Sequence, residues 1–139
     1  MTAGNIKGEY VGASFRVVHC KKALESFREA IKHIDSRKRN SFSRGMVLQI
    51  ERLAGGQRMS KDNFPQEGLL PKRKGSASAK KFNAMKRLPI RGYCWLSEEH
   101  KNTYFISHYV YKNYTKLKDS DTNKVKKNWV RIEEQGHEC

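Results

Sequence analysis

The segment Thr103–Tyr111 (TYFISHYVY) most constrains how this chain can fold. It consists almost wholly of β-branched and aromatic residues, which fit a pleated, half-buried surface and lose side-chain freedom in a helix. A fold for this sequence must therefore supply a sheet. Strict alternation puts Tyr104, Ile106, His108 and Val110 on one face of that strand and Phe105, Ser107, Tyr109 and Tyr111 on the other. Glu98–Asn102 (EEHKN) reads as a polar hairpin turn before it. Ile90–Ser97 (IRGYCWLS) reads as its partner strand, and Lys81–Leu88 as a further strand closed by Pro89.

Upstream the periodicity changes. Ala23, Leu24, Phe27, Ala30, Ile31 and Ile34 recur at three- and four-residue steps, which predicts an amphipathic helix from Lys21 to about Arg39. Asn40 and Ser41 are natural caps for a second helix, whose stripe is Phe42, Met46, Val47, Ile50 and Leu53 and whose stop is Gly55–Gly56. Ser14–Cys20 is a short strand candidate, residues 1–13 a flexible lead-in, and residues 57–80 a long loop or mobile insert. After a basic connector, Asp119–Ser120–Asp121 opens a last helix through Val125, Trp129 and Ile132, ended by Gly136. The predicted order is β-α-α-loop-β-β-β-α. This is an α+β chain of one domain spanning 1–139, without internal repeats.

Composition narrows the function. A hydrophobic content of 37% with 6 Phe, 6 Tyr and 2 Trp supports one modest core and excludes full disorder. No apolar run approaches the roughly 20 residues of a membrane helix, so no membrane partner is expected. Met1–Ser14 has no apolar h-region, so a cytoplasmic location is expected. Cys20, Cys94 and Cys139 are odd in number and far apart, which suits thiols in a reducing compartment and gives no zinc pattern. Lys and Arg number 29 against 14 Asp and Glu, a formal +15 that points to a polyanionic partner.

The basic residues cluster. Lys72, Arg73, Lys74, Lys80, Lys81, Lys86, Arg87 and Arg91 form an acid-free run, and Lys112, Lys116 and Lys118 form a second group after the last strand. Phe82, Tyr93, Trp95, Tyr109, Tyr111 and Tyr114 are interleaved with them, a pattern that favours RNA or single strands over duplex reading. The plainer reading is a solvated basic surface over an aromatic core. His108 is the natural proton carrier, having an ordinary pKa near neutrality; the same position also suits a histidine satisfied inside the sheet. Glu98–Glu99 fall in a turn and Asp119 and Asp121 look like helix caps, so the carboxylates suggest no metal site. Nucleotide-binding glycine motifs are absent, and no cofactor is expected.

The stretch from Lys80 to Trp129 resembles the RelE/ParE superfamily of toxins, in particular its HigB-like, phage-related branch. The features that carry the likeness are the aromatic last strand YFISHYVYKN, the Lys-rich YTKLKDSD and the acid-led helix TNKVKKNWVRI. The resemblance implies two N-terminal helices packed on a twisted, mainly antiparallel sheet. It implies a toxin of a type II toxin–antitoxin pair, neutralised by an acidic antitoxin, that cleaves mRNA on the ribosome without metal. Carried over by position, Arg91, Arg87 and Lys112 become phosphate stabilisers, His108 or Lys81 the proton carrier, and Tyr111 a stacker or acid–base partner. Lys72, Arg73, Lys74, Lys86, Lys116 and Lys118 would hold the RNA. The alternatives are a ParE-like inhibitor of a DNA topoisomerase and a non-enzymatic RNA-binding module.

Overall fold

The structure, a computed structural model, describes residues 6–72, 75, 78–112 and 118–136. Among these residues the chain forms one six-stranded sheet. Its spatial order is β1 (Glu9–Val11), β2 (Arg16–His19), β6 (Thr103–Tyr111), β5 (Ile90–Leu96), β4 (Lys81–Arg87) and β3 (Gln66–Leu69). Only the β2–β6 pair is parallel; the other neighbours are antiparallel. Helices α1 (Ala23–Ile31), α2 (Arg39–Ala54) and α3 (Asp119–Trp129) complete the α+β fold, and α3 continues as a π-helical segment, Val130–Glu134.

The observed order departs from the predicted one. Two strands precede the helices, because β1 lies inside the presumed lead-in and pairs with β2. The presumed insert carries β3, which joins the sheet edge beside β4. The first helix ends at Ile31 rather than near Arg39. The Arg39 guanidinium reaches back to donate to the Ile34 and Lys32 carbonyls, while the Asp35 carboxylate accepts from the Arg37 N–H and starts a new 3-10 turn, Ser36–Lys38. The second helix accordingly begins before Asn40, without a side-chain cap. Cys20 is disulfide-bonded, which corrects the expectation of three thiols; separation along a sequence says little about distance in space. Cys94 is a free thiol, fully buried, and burial raises its pKa.

Both faces of the sheet are covered. On one, Val17, Met85, Ile90, Cys94, Ile106 and Tyr109 pack against α1 and α2 through Phe27, Ile31, Met46, Ile50 and Leu53. On the other, Phe82, Ala84, Tyr93, Trp95 and Phe105 pack against Val125, Trp129 and Ile132. Gly92 permits the first layer, because a Cβ there would stand 2.6 Å from the Tyr109 ring. No helix among the described residues is long and apolar enough to cross a membrane.

Glu133, 4% exposed, ties the π-helical segment to the β5–β6 turn. Its carboxylate accepts from the Ser97 hydroxyl at 2.6 Å and from the Glu98 and Glu99 N–H groups at 2.7 and 3.3 Å. Glu133→Ala orphans those donors, and urea denaturation is expected to show a loss of about 1–3 kcal/mol. His19 is buried with its Nε2 2.7 Å from the Tyr109 hydroxyl, and burial lowers its pKa to about 4. An unfolded histidine takes its proton near pH 6.5, so between those values the unfolded chain binds the proton and the folded one does not. Stability should therefore fall as the pH drops from about 6.5 towards 4, by roughly 3 kcal/mol in all. In His19→Gln, urea midpoints measured across that range should lose this part of the slope.

Candidate functional site

Strand β6 carries one residue more than its partner. Tyr93 pairs with His108 and Cys94 with Ile106, which leaves Ser107 as a bulge. The bulge corrects the predicted alternation. Tyr104 and Ile106 lie on the α1/α2 face, whereas His108 and Val110 lie on the α3 face with Phe105. Because the extra residue is added at the point where the faces change, Ser107 and His108 stand side by side, and the Ser107 Oγ lies 2.8 Å from the His108 Nδ1.

From this pair a buried polar chain extends in both directions. His108 Nε2 is 3.1 Å from Asp121 Oδ1 in the first turn of α3. About two turns further along α3, Asn128 Nδ2 donates to Ser107 Oγ at 2.9 Å, and Arg131 donates to Asn128 Oδ1 at 2.9 Å. The orientation of the Asn128 amide follows. Arg131 can only donate, so the Asn128 oxygen accepts and its amide N–H faces Ser107. With a neutral ring the Ser107 hydrogen points to His108 Nδ1 and Nε2 carries the N–H that Asp121 accepts. His108 and Asp121 are 3% and 7% exposed. Burial raises the Asp121 pKa, but the His108 hydrogen bond and charge, with Lys112 and Lys124, outweigh it and hold the carboxyl below its ordinary value.

Cations sit on the same face. Arg91 and Tyr93 share a side of β5; Arg91 lies opposite Val110, and Lys86 lies opposite Arg91. Lys112, just past β6, is 4% exposed, with its ammonium 5.9 Å from the Tyr93 ring centroid. Its pKa is lowered by burial first and by Arg91 second, with Lys118 acting the same way and Asp121 and Glu67 opposing. The structure thus brings together His108, Arg91, Lys112, Lys86 and Lys118 of the predicted site.

Three predicted residues fall elsewhere. Lys81 is exposed at the far end of β4, opposite Leu69, five residues and roughly 17 Å from Lys86 at a strand's rise. The structure does not bring it together with Arg91, His108 and Lys112. Arg87 lies on the α1/α2 face with its guanidinium 4.6 Å over the Phe42 ring. Tyr111 also points to that face and stacks on His33 at 4.7 Å. Both lie on the face opposite His108 because odd and even positions of a strand face opposite ways. Lys72 is exposed in the loop after β3. Arg73, Lys74 and Lys116 lie outside the described residues.

The sequence reading missed Asp121, Ser107 and Asn128 as site residues. Asp121 does occupy the first helical turn, as a cap would, but its side chain accepts from His108. Its signal is a carboxylate at the start of a helix that must pack back on the preceding strand. Asn128 falls seven residues later, on the same helix face. Ser107 had no legible signal, since a bulge leaves none in the pattern. Among the described residues no group of three or more His, Cys, Asp or Glu is gathered as a metal site would require.

The Ser107–His108 pair floors an open groove of about 830 Å³ between α1 and α3. The groove follows the half of β6 that β2 leaves uncovered, since β2 pairs only with Thr103–Ile106. No family model matches the chain. No similar protein was found among curated proteins, and none among solved structures.

Removing the bulged residue should leave a regular β5–β6 ladder with every later side chain still on its present face. A Ser107 deletion is therefore expected to unfold cooperatively in urea, destabilised by about 1–3 kcal/mol through the orphaned His108 and Asn128 groups. Non-cooperative unfolding would show that the sheet itself needs the bulge.

Proposed function

We propose that this protein is the toxin of a type II toxin–antitoxin pair, a metal-independent endonuclease that cuts mRNA on the cytoplasmic ribosome and is held in check by an acidic antitoxin. The observation that carries this reading is the polarised chain from Arg131 to Asp121, with His108 at the floor of a cationic groove and Lys112 on the far side of the Tyr93 ring that packs on His108. Support for a RelE-like arrangement comes from the pair of helices between β2 and the antiparallel run β4–β5–β6, followed by a closing helix.

In this mechanism the ribose 2′-OH gives its proton to the Ser107–His108 relay as its oxygen bonds to phosphorus. Asp121 stabilises the imidazolium that forms, as a buried carboxylate does beside a catalytic histidine. Arg91 and Lys112 face the charge growing on the phosphate. The bond from phosphorus to the 5′-oxygen breaks, and that oxygen takes a proton from Lys112, whose lowered pKa suits it to donate. The products are a 2′,3′-cyclic phosphate and a 5′-hydroxyl end.

Induction of the chain in growing cells, followed by transcriptome-wide mapping of 5′ ends, should give cuts phased to codons inside translated frames. His108→Gln, which keeps a polar group in the same space, should reduce those cuts by about 100-fold or more. Growth arrest without new ends would overturn the nuclease reading in favour of a topoisomerase poison.

A further inference from the structure

We infer that the groove between α1 and α3 is the track along which a single RNA strand reaches His108, an assignment that deepens the nuclease reading and rests on it for the role of the floor. The cations expected to hold RNA fall in the run 72–91 and the cluster 112–118. The groove brings together cations that neither group contains. Lys21, Lys22, Arg28 and Lys32 line one wall and Lys124 and Lys127 the other. The acids in the lining are Glu25 and Glu29, so the six cations leave an excess of four positive charges. Glu29 is already engaged by Lys32 at 2.9 Å.

The floor differs from a plain basic patch. It consists of Ser107, His108 and Asn128, hydrogen-bonded to one another as described above. Cations on both walls hold phosphates without regard to sequence, while polar groups at the bottom can meet only a sugar or base that is open to them. A duplex keeps its base edges stacked inside and presents phosphates on a broad cylinder. A single strand can turn its ribose inward, and the 2′-OH gives the floor a donor and an acceptor that DNA lacks. A second, smaller concavity continues past Ser26 and Glu29 to Tyr109 and Tyr111. There His33, exposed and stacked against Tyr111 with the rings 18° from parallel, offers a flat aromatic surface of the kind on which unpaired bases stack. The track therefore has a cationic stretch, a polar floor and an aromatic end.

The test is fluorescence anisotropy of a labelled single-stranded RNA, with the matching DNA strand and RNA duplex as competitors, across a salt series. The groove variant is Arg28→Gln/Lys124→Gln/Lys127→Gln. The control is Arg52→Gln/Arg58→Gln/Lys61→Gln, which loses the same formal charge from exposed positions outside the groove. Each phosphate contact on a single strand contributes about 0.7 to the slope of log affinity against log salt, so the groove variant should lower that slope by roughly 2. The control should leave it near the wild-type value. Equal loss in both variants would reduce the effect to net charge and overturn the assignment, as would duplex or DNA competing as well as single-stranded RNA. Mapping of cut ends with the same variants separates the two readings. Wild-type cutting with undiminished cutting by the groove variant removes the track and keeps the nuclease. Groove-dependent RNA binding by a wild-type protein that makes no cuts removes the nuclease and keeps the track.

Discussion

An antiparallel pair that gains a residue on one strand must place it without breaking the ladder on either side. Strand β6 does so at Ser107, and most of the polar architecture depends on that placement. Before the bulge the strand serves the core with Tyr104, Phe105 and Ile106; after it, His108 takes the α3 face beside Ser107. Two neighbouring residues of a regular strand point apart and cannot bond through their side chains. Here they do, and the helix that covers them contributes Asp121 to one side of His108 and Asn128 to Ser107. A buried polar network contributes to a unique structure only when each member is satisfied, and this one is satisfied from the Arg131 end to the Asp121 end.

The two faces of the sheet treat histidine differently. His19 sits against α1 and α2 with a tyrosine hydroxyl and a carbonyl as partners, and burial keeps it neutral well into acid. His108 sits against α3 with the Asp121 carboxylate on Nε2 and opens through Ser107 to a cationic groove. The same residue type thus meets a tyrosine hydroxyl and a carbonyl on one side and a carboxylate and a serine on the other. The difference lies in the partner across each ring, not in depth alone.

Local pattern carried much of the fold. The strands at Arg16–His19, Lys81–Arg87, Ile90–Leu96 and Thr103–Tyr111 were legible because β-branched and aromatic runs end at turns or proline. The stripe Met46, Ile50 and Leu53 was legible because helical spacing repeats. What escaped was set by contacts between distant segments. Strand β1 and strand β3 are short and polar, and they exist because a neighbouring strand offers its edge. The early end of α1 depends on an arginine eight residues past it. Arg91, His108 and Lys112, which charge and chemistry mark in the sequence, fall together on the α3 side of the sheet. Arg87 and Tyr111 lie on the other face: marked residues on a strand need a face as well, and the face follows from a register that composition does not encode.

The Ser26 hydroxyl donates to the Ala23 carbonyl and accepts the Tyr109 N–H at 2.9 Å. A helix side chain thereby occupies a main-chain donor of β6 beyond the last residue that β2 covers. An incoming extended chain would find that donor taken and the body of α1 in its path. The sheet is thus sealed at its middle strand by one serine, and its growth is confined to the outer edges, β1 and β3, where the strands are short. The same seal keeps the groove beside it open as a channel of side chains instead of a slot for another strand.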